Sequence, residues 1–175
     1  VKALHIKDAD ALFQAHPEWM VRIFVLAAKH NVHVSHRVQK ALRRNLALHD
    51  LSQYGEEVRQ KILLEFKGLL QLDQNIDYAM LRLHRFKMLD ALIPDYGRIR
   101  NRFLLRDQQY TADNLTLRTL EALELFREQK RRSFRDPGEA YRSVRVDPAR
   151  ALSLRLAILL KGVVFDELFS KGGQQ

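Results

Sequence analysis

The sequence predicts an all-α protein, a multi-helix bundle. Three observations carry that expectation. Only 7 Gly and 4 Pro interrupt 175 residues. Apolar residues recur at spacings of three and four along most of the chain. Alternating strand patterns are confined to a few residues around Val144–Val146. Hydrophobic residues at 46% and charged residues at 29% exclude wholesale disorder. The length suits one domain, or one domain with an appended subdomain, and is enough to bury a core.

Pro17 marks the first turn of a helix with an apolar face of Trp19, Met20, Ile23, Phe24, Leu26 and Ala27. His30-Asn31 ends it, a short extended piece follows, and Ser35 is read as the N-cap of the next helix. That helix carries Val38, Leu42 and Leu46 inward and Arg37, Lys40, Arg43 and Arg44 outward. Gly55 opens an amphipathic segment with Val58, Ile62, Phe66, Leu69 and Leu70 on one stripe. Glu57, Lys61 and Glu65 form an i, i+4 charge ladder beside it. Ile76, Met80, Leu83, Phe86 and Leu89 make one further helix, ended by Pro94. Another runs from about Asn114 to Gln129, and Arg127 to Ser143 reads as a basic loop or linker. Asp136-Pro137 and Asp147-Pro148 each read as N-cap followed by a first-turn proline. The last helix, Leu152 to Phe169, is the most apolar, and the tail from Lys171 is expected to be disordered.

Several function classes are excluded or made remote. There are no cysteines, so disulfides, thiol catalysis and zinc knuckles fall together. The longest strictly apolar run, Ile23 to Ala28, is far short of the roughly 20 residues of a membrane span. No signal peptide opens the chain, so a cytoplasmic location with no membrane partner is expected. The opening at Val1 is consistent with a segment of something longer. No glycine-rich phosphate cradle and no Gly-x-Ser-x-Gly elbow occurs. Asp166-Glu167, in the apolar last helix, reads as a solvated pair of carboxylates.

Two residue groups could carry chemistry. His30, His33 and His36 are spaced by three, but Val32, Val34 and the Ser35 cap break the helix there, which favours surface and helix-end histidines. His49-Asp50 follows a helix end. With His16 or His30 before it, His84 after it and Asp113 later, the order resembles the H…HD…H…D signature of HD phosphohydrolases. On that alternative, His49, Asp50, His84 and Asp113 would hold a divalent metal. Otherwise no cofactor is expected.

Positive charge is the second resource. The chain carries 30 Lys+Arg against 21 Asp+Glu, a net charge of +9. Arg82, Arg85, Lys87, Arg98, Arg100, Arg102 and Arg106 face only Asp90 and Asp95 between Arg82 and Arg106, a local +5. Arg127, Lys130, Arg131, Arg132 and Arg135 gather around Phe134. Arg98, Arg100, Arg102 and Arg106 crowd just past Pro94 and are the candidate contacts for an acidic protein surface or a nucleotide phosphate. A nucleic-acid-binding helical protein is a second alternative, although no RNA-binding signature and no regular aromatic interleaving accompanies the charge.

One stretch is more specific. Met88-Leu89-Asp90-Ala91-Leu92-Ile93-Pro94-Asp95-Tyr96-Gly97-Arg98-Ile99 is followed, about ten residues on, by Tyr110-Thr111-Ala112-Asp113-Asn114-Leu115-Thr116-Leu117. This resembles the junction of the bifunctional uridylyltransferase/uridylyl-removing enzyme family that modifies the nitrogen-regulatory PII protein. There a helical region leads into an HD domain through a pattern close to L-x-x-[YF]-I-P-E-F-G-R and then H-x-Y-T-V-D-E-H-T-L. Leu12 to Glu18 with Arg22-Ile23-Phe24 is similar to that family's "F…P…RLF" helix, so the resemblance spans about Ala11 to Phe126. It implies a helical region over 1–107 and an HD-like helical region over 108–175.

The departures bear on activity. The family's first HD histidine falls on Leu115, and the histidine before its "Y-T" falls on Gln108. Leu156 to Leu160 resembles the approach to the His-Asp pair, but Lys161-Gly162 stand in that pair's place. Leucine cannot ligate a metal and lysine repels one. The resemblance therefore implies a degenerate or truncated HD portion. The expected role is noncatalytic contact with a partner, or with other domains of a larger parent enzyme, in nitrogen signalling.

Overall fold

A computed structural model describes residues 2–48, 54–103, 109–132 and 148–172. The architecture over these residues is helical, as the periodicity predicts, with nine helices and one two-stranded sheet among the described residues. The chain separates into two compact units, Val1–Gly97 and Arg98–Gln175. Arg98, Arg100 and Arg102 thus belong to the second.

In the first unit, strand β1 (Ala3–Leu4) pairs in parallel with β2 (His33–Val34), with Leu4 opposite Val34. Helix α1 (Ala9–Ala15) starts where Asp8 accepts a hydrogen bond from the Ala11 N–H at 3.1 Å. It ends at His16, because the residue before a proline disfavours helical backbone. Helix α2 (Trp19–His30) packs on α4 (Glu56–Leu70) and α5 (Ile76–Arg85), while α1 packs on α3 (His36–Leu48). The core is apolar: Phe13, Phe24, Ile23, Leu69, Met80 and Leu83 are fully buried. Asn31 closes α2 with a left-handed backbone (φ 50°), its N–H reaching the carbonyls of Ala27 and Ala28. Asn75 (φ 59°) then ties the start of α5 back to α2, donating to the Ala28 carbonyl at 3.0 Å.

Four expectations need correction. The helix expected to run unbroken from Ile76 past Leu89 is two, α5 and α6 (Met88–Leu92), because Lys87 adopts a left-handed backbone at φ 60° and reverses the chain. Ser35 precedes α3 but does not cap it with its side chain. Its hydroxyl is buried without a hydrogen-bond partner, and Gln39 turns back to donate to the Val34 carbonyl at 2.7 Å. Strand β1 had no signal in an opening of only two paired residues. The basic segment read as a loop from Arg127 is helical as far as Arg132. The expectations at Asp136-Pro137 and Val144–Val146 lie outside the described residues.

In the second unit, α7 (Tyr96–Ile99) straddles the division, α8 covers Ala112–Arg132 and α9 covers Pro148–Gly172. Helices α8 and α9 pack on each other. No helix among the described residues is long and apolar enough to cross a membrane.

Candidate functional site

The arginine segment is the place to begin, because four of its residues carry the sequence-based site. Ile99 is fully buried and anchors it. The Arg102 carbonyl accepts from the Ala112 N–H at 2.8 Å, which joins the segment to the start of α8. Thr111 precedes that helix, its hydroxyl accepting from Asn114 Nδ2 at 2.8 Å. Tyr110 lies beneath the Arg118 guanidinium, 4.2 Å from ring centroid to Cζ. The Tyr110-Thr111-Ala112-Asp113 motif therefore builds a helix start.

Arg98 and Arg102 converge on one carboxylate. Asp166 on α9 lies 2.6 Å from Arg102 Nη1 and 3.7 Å from Arg98 Nη2. The Asp166 side chain is 3% exposed, whereas those of Arg98 and Arg102 are 51% and 49% exposed. The carboxylate is thus held inside while the two cations reach outward. This overturns the reading of Asp166 as solvated. Arg100 is half-buried between them in sequence, and Arg106 lies outside the described residues. Arg98 and Arg102, both proposed for partner contact, are accordingly occupied within the chain. An incoming carboxylate or phosphate would meet cations whose charge Asp166 has partly satisfied.

A second charge pair lies deeper. Arg155 on α9 donates to Glu124 on α8 at 2.8 Å, with the side chains 1% and 9% exposed. Asp113 and Thr116 are also buried on α8. The residues of α9 turned inward are Ala151, Arg155, Leu159, Gly162 and Asp166, at spacings of four, four, three and four. A Cβ added at Gly162 would lie 2.8 Å from Ile99 Cδ1, so glycine lets α9 approach the arginine segment closely. Sequence reasoning missed Arg155 and Glu124 altogether. The signal was present: Arg155 and Asp166 share the helical phase of Leu159, where only apolar residues are expected.

The metal-ligand alternative fares differently. His49 and Asp50 lie outside the described residues. His84 belongs to α5 in the first unit, half-buried, with its ring edge-on to Tyr96 at 6.1 Å. Asp113 belongs to α8 in the second. No group of three or more His, Asp and Glu able to hold a metal occurs among the described residues. In the His30, His33 and His36 trio, α2 ends at His30 and α3 begins at His36, and all three rings are exposed. His33 Nδ1 shares a 3.1 Å hydrogen bond with the Tyr78 hydroxyl. His16 lies 3.5 Å from Glu18.

No family model matches the chain, and no solved structure matches it significantly.

Proposed function

We propose that this chain is a noncatalytic helical interaction module, similar to the central region of the PII uridylyltransferase/uridylyl-removing enzymes, and that it contacts an acidic partner in nitrogen signalling. The observation that carries the reading is at Lys161-Gly162, where that family's metal-binding His-Asp pair would fall. Glycine has no group to ligate a metal, and a side chain there would have to displace the end of the Ile99 side chain, whose Cδ1 would lie 2.8 Å from its Cβ. Lys161 beside it is exposed and cationic. The junction residues support the same reading, because Leu89, Ile93, Tyr96 and Ile99 are all buried and serve packing. The resource left to the module for contact is positive charge, because residues 98–175 carry 16 Lys+Arg against 10 Asp+Glu.

The test is titration of the full chain with a PII-type protein, followed calorimetrically. Arg100→Glu is the variant tested, because reversing Arg98 or Arg102 would set a carboxylate against Asp166. Its melting temperature is compared with that of the parent, so that a loss of fold is seen apart from a loss of contact. Binding that weakens tenfold or more in Arg100→Glu is expected, and unchanged binding would sink the arginine contact. A companion melting experiment with manganese addresses catalysis. A metal bound only by the folded state at 100 times its Kd adds about 2.7 kcal/mol. For a chain of this length that raises Tm by several degrees. No shift is expected, and a clear one would overturn the noncatalytic reading in favour of the His49-Asp50 phosphohydrolase.

A further inference from the structure

Helix α9 carries both charged and apolar residues on each of its sides. Its inward stripe carries Arg155 and Asp166 among Ala151, Leu159 and Gly162, while Leu154, Val164 and Phe165 off that stripe are 42%, 51% and 42% exposed. Ala157 is exposed with them. The outward residues fall in a heptad-like series, Arg150, Leu154, Ala157, Lys161 and Val164, at spacings of four, three, four and three. That is the spacing of a seam that receives the side chains of a second helix. Two of its five positions are cationic and exposed: Arg150 and Lys161, eleven residues apart. At 1.5 Å per residue they are about 16 Å apart along the helix.

We infer that the outer face of α9 docks an acidic amphipathic helix of another protein. That helix would present apolar residues at three-four spacing and two carboxylates about eleven residues apart, one opposite Arg150 and one opposite Lys161. Charge complementarity selects this occupant over the others. A second copy in parallel would place Lys161 on Lys161 and Arg150 on Arg150. In either orientation it would bring together two units of net charge +6. A membrane-surface helix carries its cations on the polar side of its apolar face. Here Lys161 sits within that face, its Nζ 6.0 Å from the Phe165 ring centroid. A buried seam position occupied by a cation selects a partner that supplies the opposite charge and penalises those that do not.

This inference rests on the reading of the chain as an interaction module, but not on its arginine segment. The test uses the full chain and two labelled amphipathic peptides with leucine at three-four spacing. One has Glu at two seam positions eleven residues apart, and the other has Lys there. Anisotropy is expected to show the Glu peptide binding at least tenfold more tightly. Lys161→Glu should invert the preference, and Val164→Asp, at an exposed position, should weaken the Glu peptide tenfold or more. Equal affinity for both peptides, or a preference that survives Lys161→Glu, would overturn the docking face. So would a concentration-dependent dimer that Val164→Asp dissociates, or binding to phosphatidylserine vesicles in preference to either peptide. Tight, charge-selective peptide binding without any PII binding would remove the nitrogen-signalling reading and leave this face standing. PII binding that is sensitive to Arg100→Glu but indifferent to Lys161→Glu and Val164→Asp would do the reverse.

Discussion

Helix α2 in the first unit and helix α9 in the second are both rich in apolar residues but differ in what they bury beside them. Helix α2 buries Met20, Val21, Ile23, Phe24, Ala27 and Ala28 and leaves Arg22 and Lys29 to solvent. Helix α9 buries Arg155 and Asp166 together with Ala151, Leu159 and Gly162 and leaves Leu154, Leu160, Val164 and Phe165 exposed. The first arrangement is what hydrophobic burial alone produces. The second is stable only because each inward charge meets an opposite one, at 2.8 Å for Arg155 and 2.6 Å for Asp166. An apolar sequence therefore does not say which side of a helix faces the core. On α9 the charges that do lie inward are each paired.

The sharpest way to break that comparison is to remove one member from each region. Phe24→Ala should cost about 3–5 kcal/mol by opening a cavity. Glu124→Ala should cost about 3–5 kcal/mol for a different reason, because it takes a carboxylate from a buried guanidinium. The double replacement Glu124→Leu with Arg155→Met separates the two causes. It should recover most of that loss, and urea unfolding in which the double variant is as weak as Glu124→Ala would deny the charge-paired seam.

A smaller effect is expected where α9 meets the arginine segment. Gly162→Ala forces a Cβ against Ile99 and should cost about 1–3 kcal/mol, offset by up to about 1 kcal/mol of gained helix propensity. Adding Ile99→Ala should relieve the overlap, so the Gly162→Ala penalty measured by thermal melting should vanish in that background.

The smallest effect sharpens the comparison from the first unit, whose ion pairs lie outside its core. Arg44 sits 2.5 Å from Asp10, and its hydrogen bond to the carboxylate holds Asp10 below its ordinary 3.8. A carboxyl group with a lowered pKa contributes stability above its unfolded value and loses it as pH falls through the folded one. Arg44→Met should therefore be less stable than the parent at neutral pH. The difference should close on acidification below about pH 4, as followed by circular dichroism at successive pH values. A gap that stays constant to pH 2 would rule the ion pair out as its source.

The fold class was legible because α2 and α4 carry apolar periodicities, α9 is apolar along most of its length, and Gly55, Pro94 and Pro148 stand at or beside helix boundaries. What was not legible depended on single backbone choices or distant partners. Lys87 is an ordinary helix former, and nothing local announces its φ of 60°. Ser35 has the residue type of a cap, yet its hydroxyl is enclosed and Gln39 makes the local side-chain bond instead. Of the candidate site, the crowding of arginines after Pro94 was visible, but their engagement was not. Asp166 follows Arg102 by 64 positions, and only folding brings them to 2.6 Å.

The close approach at Gly162 has a mechanical consequence. Sliding α9 along its axis by one turn, about 5.4 Å, would bring Ile158 or Asp166 to the place where Ile99 rests. Either side chain would have to push the end of the Ile99 side chain aside, so the missing Cβ acts as a notch that favours the present setting of the helix. The same setting fixes how far along the axis Arg150 and Lys161 stand. A residue without a side chain thus acts as the ruler for a pair of charges elsewhere on its own helix.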